Sequence, residues 1–509
     1  MQQKFERHRR HFVQQCAGLI SFSNTFAEQL SDLGARCTPS GAPSPHLVQL
    51  NEALALELGL DVPFLRSDDG LAVLSGNQIP ASALPIAQAY AGHQFGGFSP
   101  QLGDGRALLL GEIVDRDGVR RDIALKGSGR TVFSRGGDGK ATLGPMLREH
   151  LLGEAMHALG IPTTRVLAVI ATGGQVARES MLPGALIVRV AASHIRVGTF
   201  EFFAARREQE KLTRLADFVI ARHYVHIAHS TNRYIALLAT VVEQQASLLA
   251  KWMNVGFVHG VMNTDNMTLS GETIDYGPCA FLEAYSPSTV FSSIDANGRY
   301  AFGQQPKIAK WNLARLAEAL LPLIAAEHGN DEERAVALAT EALETFDSMY
   351  PAFWLAGACA KLGIKDPGPG DVELVQDWLQ LLHAQSADFT LAHRMVIAAA
   401  HGETTALTTL LGQGSDICTW MARWHTRLSA QGSLQSAQDL MRATNPVYIA
   451  RNHLVEQALA AAVQHGNMAP YEALLAAVTH PFAETRDRQA LAEPAASEFT
   501  ANYRTFCGT

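Results

Sequence analysis

The chain has 509 residues, 47% apolar and 18% charged, a balance that permits a sizeable buried core and excludes disordered or fibrous classes. Its 41 basic and 49 acidic residues leave a net charge of -8 with no long block of one sign, which excludes a sequence-independent grip on nucleic acid. The sequence has no apolar run of about 18 residues, and its scattered cysteines (Cys16, Cys37, Cys279, Cys359, Cys418, Cys507) form no C-x-x-C pair, so the expectation is a cytoplasmic protein without membrane partner, disulfide scaffold or structural zinc.

The start, MQQKFERHRRHF, is basic and admits an organelle presequence as an alternative, against which Glu6 counts. Residues 1–80 read as an N-terminal extension packed on the domain that follows, with a helix expected over Leu47 to Leu58 and turns at Pro39, Gly41, Pro43 and Pro45. From residue 81 the pattern becomes strand-rich. A glycine-rich run, Gly92 to Phe98, precedes Gly103-Asp104-Gly105-Arg106. Then Ala107 to Val114, a turn at Asp115-Arg116-Asp117-Gly118 and Val119 to Lys126 predict a β-hairpin. Apolar residues at 143, 147, 151, 152, 155 and 159 predict one helix over Thr142 to Leu159, ended by Gly160-Ile161-Pro162. A strand pair, Arg165 to Ile170 and Leu186 to Val190, closes the segment 81–197, and beyond about residue 200 the long elements are Ala- and Leu-rich helices. Residues 198–440 form the expected helical lobe, interrupted by a loop at Lys365 to Asp371, and 441–509 a C-terminal extension. Strands first and helices second outline an α+β fold of two lobes with a cleft between them.

The most specific segment is His259-Gly260-Val261-Met262-Asn263-Thr264-Asp265-Asn266, followed by Ile274-Asp275-Tyr276-Gly277. Kinases space H-x-D-x-x-x-x-N and D-F-G in this way, because Asn and the second Asp hold Mg²⁺ while the first Asp takes the substrate proton. His259, Asn266 and Asp275 fall at the expected offsets, and two hard oxygen ligands suit an ion completed by water and nucleotide phosphates. The position of the kinase base is Val261, which accepts no proton, whereas Asp265 stands directly before Asn266. Two readings stay open: a silent binding module, or an enzyme whose base and chemistry have both moved.

Upstream, Ile123-Ala124-Leu125-Lys126 resembles the strand whose Lys neutralises phosphates and pairs with a helix Glu; Glu149 and Glu154 are the candidates. Ser134 to Lys140 is no Walker loop, since Ser134 replaces Gly and Ala141 follows the Lys. Its glycines, like those of the 103–106 segment, still permit backbone amides to approach phosphate. Arg189 and Arg196 flank a strand end and suit bidentate phosphate contacts.

Together AYAGHQFGGFSPQLGDGRA, LKGSGRT, FSRGGDGKATLGPMLRE, MHALGIPTTR, HGVMNTDN, IDYGPCAF and, after a gap, NPVYIARN resemble the selenoprotein O (SelO, or YdiU) family of kinase-fold AMP transferases. The resemblance implies a nucleotide flipped relative to kinases, with the α-phosphate facing the acceptor, so that AMP moves from ATP to Ser, Thr or Tyr hydroxyls of other proteins. It implies Asp265 as base, Asn266 and Asp275 as ligands of Mg²⁺ or Mn²⁺, and Lys126 held by Glu149. Gly103, Gly105, Arg106, Asp138, Gly139, Arg189 and Arg196 complete the implied nucleotide pocket. Some members are associated with UMP transfer using Mn²⁺. Members carry selenocysteine or cysteine where Cys507 stands, and a reversible disulfide between Cys279 and Cys507 is implied as a redox pair, with two unrelated free thiols as the alternative. Besides AMP transfer, a catalytically silent nucleotide-binding pseudokinase and a small-molecule kinase are the alternatives; the latter needs an Asp at position 261.

Overall fold

The computed structural model describes residues 20–506. An eight-stranded antiparallel sheet dominates the first 191 residues, running Gly34–Arg36, Ile86–Gln88, Ala107–Val114, Arg120–Lys126, Met181–Ala191, Arg165–Ala177 and His46–Leu50, with Ala141–Thr142 pairing beside Met181–Ala191. The hairpin expected before Lys126 forms with the expected turn, and Lys126 ends its strand opposite Ala107 on one side and Ile187 on the other. The strand pair after residue 165 also forms and runs longer than its apolar cores, to Ala177 and from Met181.

The helix expected over Leu47 to Leu58 is a correction. His46–Leu50 is an edge strand against Arg165–Ala177, and only Glu52–Glu57 is helical, capped by the Asn51 side chain. Pairing with a free sheet edge outweighs the weak helical preference of so short a segment.

The helix Leu143–Ala158 matches the expected span within a residue at each end and lies on the sheet, burying Leu147, Leu151, Leu152 and Ala155. One apolar core runs from this helix through Val197–Ala205, Arg233–Val255 and Gln305–Glu327 of the helical lobe. A second core gathers Trp378, Trp420 and Trp424 among the distal helices. The expected loop at Lys365 to Asp371 lies between the helices Phe346–Lys361 and Asp371–Ala384. The result is a kinase-like α+β fold, sheet first and helices after, with the loops of interest at the junction. Among the described residues no helix is long and apolar enough to cross a membrane.

Candidate active site

A cleft of about 1250 Å³ opens at that junction. It is lined by Gly103, Gly105, Arg106, Lys126, Asp138, Gly139, Glu149, Arg189, Arg196, Asp265, Asn266 and Asp275, so every residue singled out for the nucleotide pocket meets in one place.

One wall is an ion cluster. Lys126 Nζ lies 2.5 Å from Glu149 Oε2 and 2.6 Å from Asp275 Oδ1. Arg189 Nη1 reaches Asp275 Oδ1 at 2.8 Å and Arg196 Nη1 reaches Oδ2 at 3.3 Å. Of the two candidate helix glutamates, Glu149 takes the lysine, whereas Glu154 accepts two hydrogen bonds from Arg165 at 2.9 and 2.7 Å. Although burial opposes ionisation of Asp275, the neighbouring Lys126, Arg189 and Arg196 hold its carboxyl well below the usual range. Asp275 also adopts φ of 62°, a left-handed conformation that costs a non-glycine residue free energy and is sustained here by the cluster that grips its side chain.

Behind the cluster stands a row that sequence inspection did not find. Arg189 Nε donates to His194 Nε2 at 3.2 Å, His194 Nδ1 lies 3.1 Å from Asp122, and Arg222 donates to Asp122 at 2.8 Å. Because Nε2 accepts from Arg189, the His194 proton sits on Nδ1 facing the carboxylate. Arg196 stacks on Tyr90, its Cζ 4.4 Å from the ring centroid.

The opposite wall is the 259–266 loop. His259 is fully buried, stacked 5.4 Å from Trp252, and its Nε2 lies 2.9 Å from the Ile274 carbonyl. A carbonyl only accepts, so Nε2 carries the proton and ties this loop to the residue before Asp275. Asn266 Nδ2 donates to the Val261 carbonyl at 2.9 Å, which leaves the amide oxygen of Asn266 as the free end of the side chain. The apolar residue in the kinase base position therefore anchors Asn266 through its backbone.

Asp265 is the contrasting carboxylate. It is 8% exposed, its Oδ1 has no hydrogen-bond partner, and Oδ2 meets only Gln94 Nε2 at 3.5 Å. Burial pushes its pKa up to about 6, against the pull of Arg196. The glycine-rich run flagged in the sequence is a small hairpin, Gly92–Gln94 with Gly97–Ser99, laid over this loop. A Cβ at residue 92 would stand 2.4 Å from Asp265 Oδ1, so only glycine permits the approach. His93 N donates to Thr264 Oγ1 at 2.7 Å, Thr264 Oγ1 in turn donates to Glu201, and Phe95 N donates to Tyr300 at 3.0 Å.

The two other glycine segments stack on each other. Gly103 has φ of +73° and presses on the Phe133 ring, and Ser134 Oγ donates to the Gly105 carbonyl. Asp138 is fixed by Arg178, at 2.9 Å, which holds its carboxyl below the ordinary range. Arg178 and Arg148 also line the cleft; neither was singled out from the sequence, although Arg148 stands directly before Glu149.

The C-terminal segment closes one side. Tyr503 to Phe506 line the cleft, and Thr505 Oγ1 donates to the Pro278 carbonyl at 2.7 Å. Cys279 is buried next to that contact, and burial pushes its thiol up to about 11. Cys507 and the basic start lie outside the described residues.

The donors suit a hard divalent ion: an amide oxygen on Asn266, a fully ionised carboxylate on Asp275 and, nearby, an orphaned carboxylate oxygen on Asp265. Soft or nitrogen ligands are absent from this set. Sheet lobe, helical lobe, Lys–Glu pair and Asn/Asp loops around one cleft define a kinase-like transferase.

The family model described as "Protein adenylyltransferase SelO" matches residues 19–479. A "Protein nucleotidyltransferase YdiU" from Cereibacter sphaeroides is 56% identical over 489 residues, covering 96% of this chain and 99% of the relative. One of the same name from Chromobacterium violaceum is 55% identical over 472 residues, 92% of this chain and 98% of the relative. A third, from Methylorubrum populi, is 52% identical over 500 residues, with 96% and 99% covered. The chain belongs to the SelO protein adenylyltransferase family.

Proposed function

We propose that this enzyme transfers AMP from ATP to Ser, Thr or Tyr hydroxyls of proteins, with Asp265 as general base. The observation that carries this reading is the division of labour between two carboxylates. Asp275 is ringed by three cations, whereas Asp265, directly before Asn266, keeps one buried oxygen free and a pKa of about 6. A base near its operating pH, within reach of a hydroxyl, is what proton abstraction requires.

Asn266 and Asp275 would hold Mg²⁺, or Mn²⁺ if UTP is used in place of ATP. When bound, the ion neutralises negative charge on the phosphates. Lys126, Arg189 and Arg196 supply fixed positive charge to the same groups, and the glycine segments around Gly103, Gly105, Arg106, Asp138 and Gly139 offer backbone amides to a nucleotide. With the nucleotide flipped so that its α-phosphate faces the acceptor, the hydroxyl proton passes to Asp265. The oxygen bonds to the α-phosphorus, the bond to the bridging oxygen breaks, and pyrophosphate leaves.

We also propose that Cys279 and Cys507 pair reversibly under a peroxide-class oxidant, two thiols giving one disulfide. The docking of Thr505 on Pro278, beside Cys279, supports that pairing. Peptide mapping under non-reducing conditions tests it. The transfer itself is tested with α-labelled and γ-labelled ATP in parallel, with Mg²⁺ and a protein acceptor. Label from the α position alone is expected on the acceptor; label from the γ position overturns the reading.

A further inference from the structure

On the helical lobe, a groove of about 520 Å³ is lined by Arg299, Lys307, Trp311, Phe346, Tyr350 and Pro351. Its floor is apolar and aromatic. Its rim carries Arg299, Lys307, Lys310 and Asp347; Lys310 and Asp347 pair with each other, and neighbouring Arg315 pairs with Glu318, whereas Arg299 and Lys307 have no carboxylate partner among the described residues, so the rim is net basic. In a chain of net charge -8, two uncompensated cations beside an aromatic floor are a local departure.

The groove is continuous with the hairpin over Asp265. The Arg299 guanidinium lies 4.8 Å from the Trp311 ring centroid and 3.3 Å from where a Cβ of residue 96 would stand. His93, on the same hairpin, meets Trp311 edge-on at 5.2 Å and packs against Phe98 at 4.9 Å. Phe98 is 43% exposed and Phe95, packed on Tyr300 at 5.0 Å, 36%, so both rings keep a solvent-facing side. One end of the hairpin, Gly92, rests on Asp265, and the other, Gly96, rests on Arg299.

The basic N-terminal segment of this chain, with Lys4, Arg7, Arg9 and Arg10 against Glu6, has the wrong charge to occupy this groove. We propose that the hairpin and the groove form the docking surface for the acceptor protein, taking an extended segment that carries an acidic and a bulky apolar side chain near the modified hydroxyl. The inference rests on the AMP-transfer reading. From Gly92 to Gly96 an extended strand covers at most about 14 Å, which places the two recognised side chains about four residues from the hydroxyl.

Two fluorescent synthetic peptides with one central Ser test the surface, one bearing Glu and Leu about four residues to either side, the other Lys and Ser at those positions. Anisotropy with the full chain and Mg·ATP is expected to show the acidic-apolar peptide bound at least about tenfold more tightly. Lys307→Glu, an exposed site outside the cleft, is expected to bring that ratio close to one while nucleotide affinity stays unchanged. Tyr350→Ala is expected to weaken the acidic-apolar peptide without affecting the other. Equal affinity for the two peptides, or a preference that survives both substitutions, overturns the docking surface. Preferential binding without α-label on the bound peptide keeps the surface and overturns the transferase reading instead.

Discussion

The two cleft loops each carry one aspartate, ten positions apart, and the fold treats them in opposite ways. Asp275 stands among Lys126, Arg189 and Arg196 and is held ionised far below its ordinary range; Asp265 faces a glycine and an amide and is pushed up to about 6. The difference lies entirely in the surroundings. A carboxylate ringed by cations stays charged, and one denied such partners is held closer to its proton, as the proposed base role of Asp265 requires. The cations around Asp275 come from the sheet and the segment after it, with Glu149 of the Leu143–Ala158 helix beside them, whereas Asp265 is covered by the Gly92–Ser99 hairpin, so on the proposed reading binding and chemistry draw on separate parts of the fold.

Substitutions break this comparison one side at a time. Asp275→Ala should have the largest effect: transfer falls at least about 10³-fold, and the Mg²⁺ dependence of ATP binding, read by calorimetry, is lost with it because one of the two proposed ion ligands is gone. Lys126→Met removes one phosphate cation and should cost on the order of 10² to 10³ in kcat, measured with α-labelled ATP. Gly92→Ala strikes only the other loop, since its Cβ must displace Asp265. Transfer should fall by about 10² while calorimetric ATP affinity stays within about twofold, as expected when a reacting group is misplaced by about 1 Å.

The pH dependence sharpens the same contrast. Transfer should fall about tenfold per pH unit below about pH 6, where Asp265 takes up its proton, and this limb should move to lower pH as Mg²⁺ is raised. Stability gives the smallest effect. Below pH 3.8 Asp265 is protonated whether folded or unfolded and costs nothing. As pH rises from there through about 6 the unfolded chain ionises first, so stability declines across that window and stays lower above it. In metal-free protein Asp265→Asn should therefore stabilise the fold at pH 7.5 by up to about 3 kcal/mol and by almost nothing at pH 3, read from denaturant midpoints.

Much of the cleft was legible because kinase-type chemistry demands local spacing. The offsets among His259, Asn266 and Asp275 and the strand end at Lys126 are short-range patterns; the structure brings Lys126, Asn266 and Asp275 to one cleft, with His259 buried behind it on the Ile274 carbonyl. Local pattern alone left Glu149 and Glu154 both open, since they lie on one helix; the family resemblance pointed to Glu149, and in the structure Lys126 pairs with it while Arg165 on the facing sheet takes Glu154. The row behind Arg189, through His194, Asp122 and Arg222, was invisible because it joins three segments that are about 30 to 100 positions apart in sequence, around Asp122, Arg189 to His194, and Arg222. Leu47 to Leu50 misled because a short apolar run carries no period strong enough to resist a sheet edge. The glycines of the 92–97 run were conspicuous, but that one of them makes room for Asp265 depends on a contact across more than 170 positions, which no local pattern reports.

The most direct test is single-turnover transfer of α-label by Asp265→Asn already saturated with Mg·ATP. If the two loops divide binding from chemistry, the variant fills with nucleotide at the wild-type affinity and transfers at a rate lower by about 10² to 10⁴. Transfer at the wild-type rate from the filled variant would contradict the assignment of the base to Asp265.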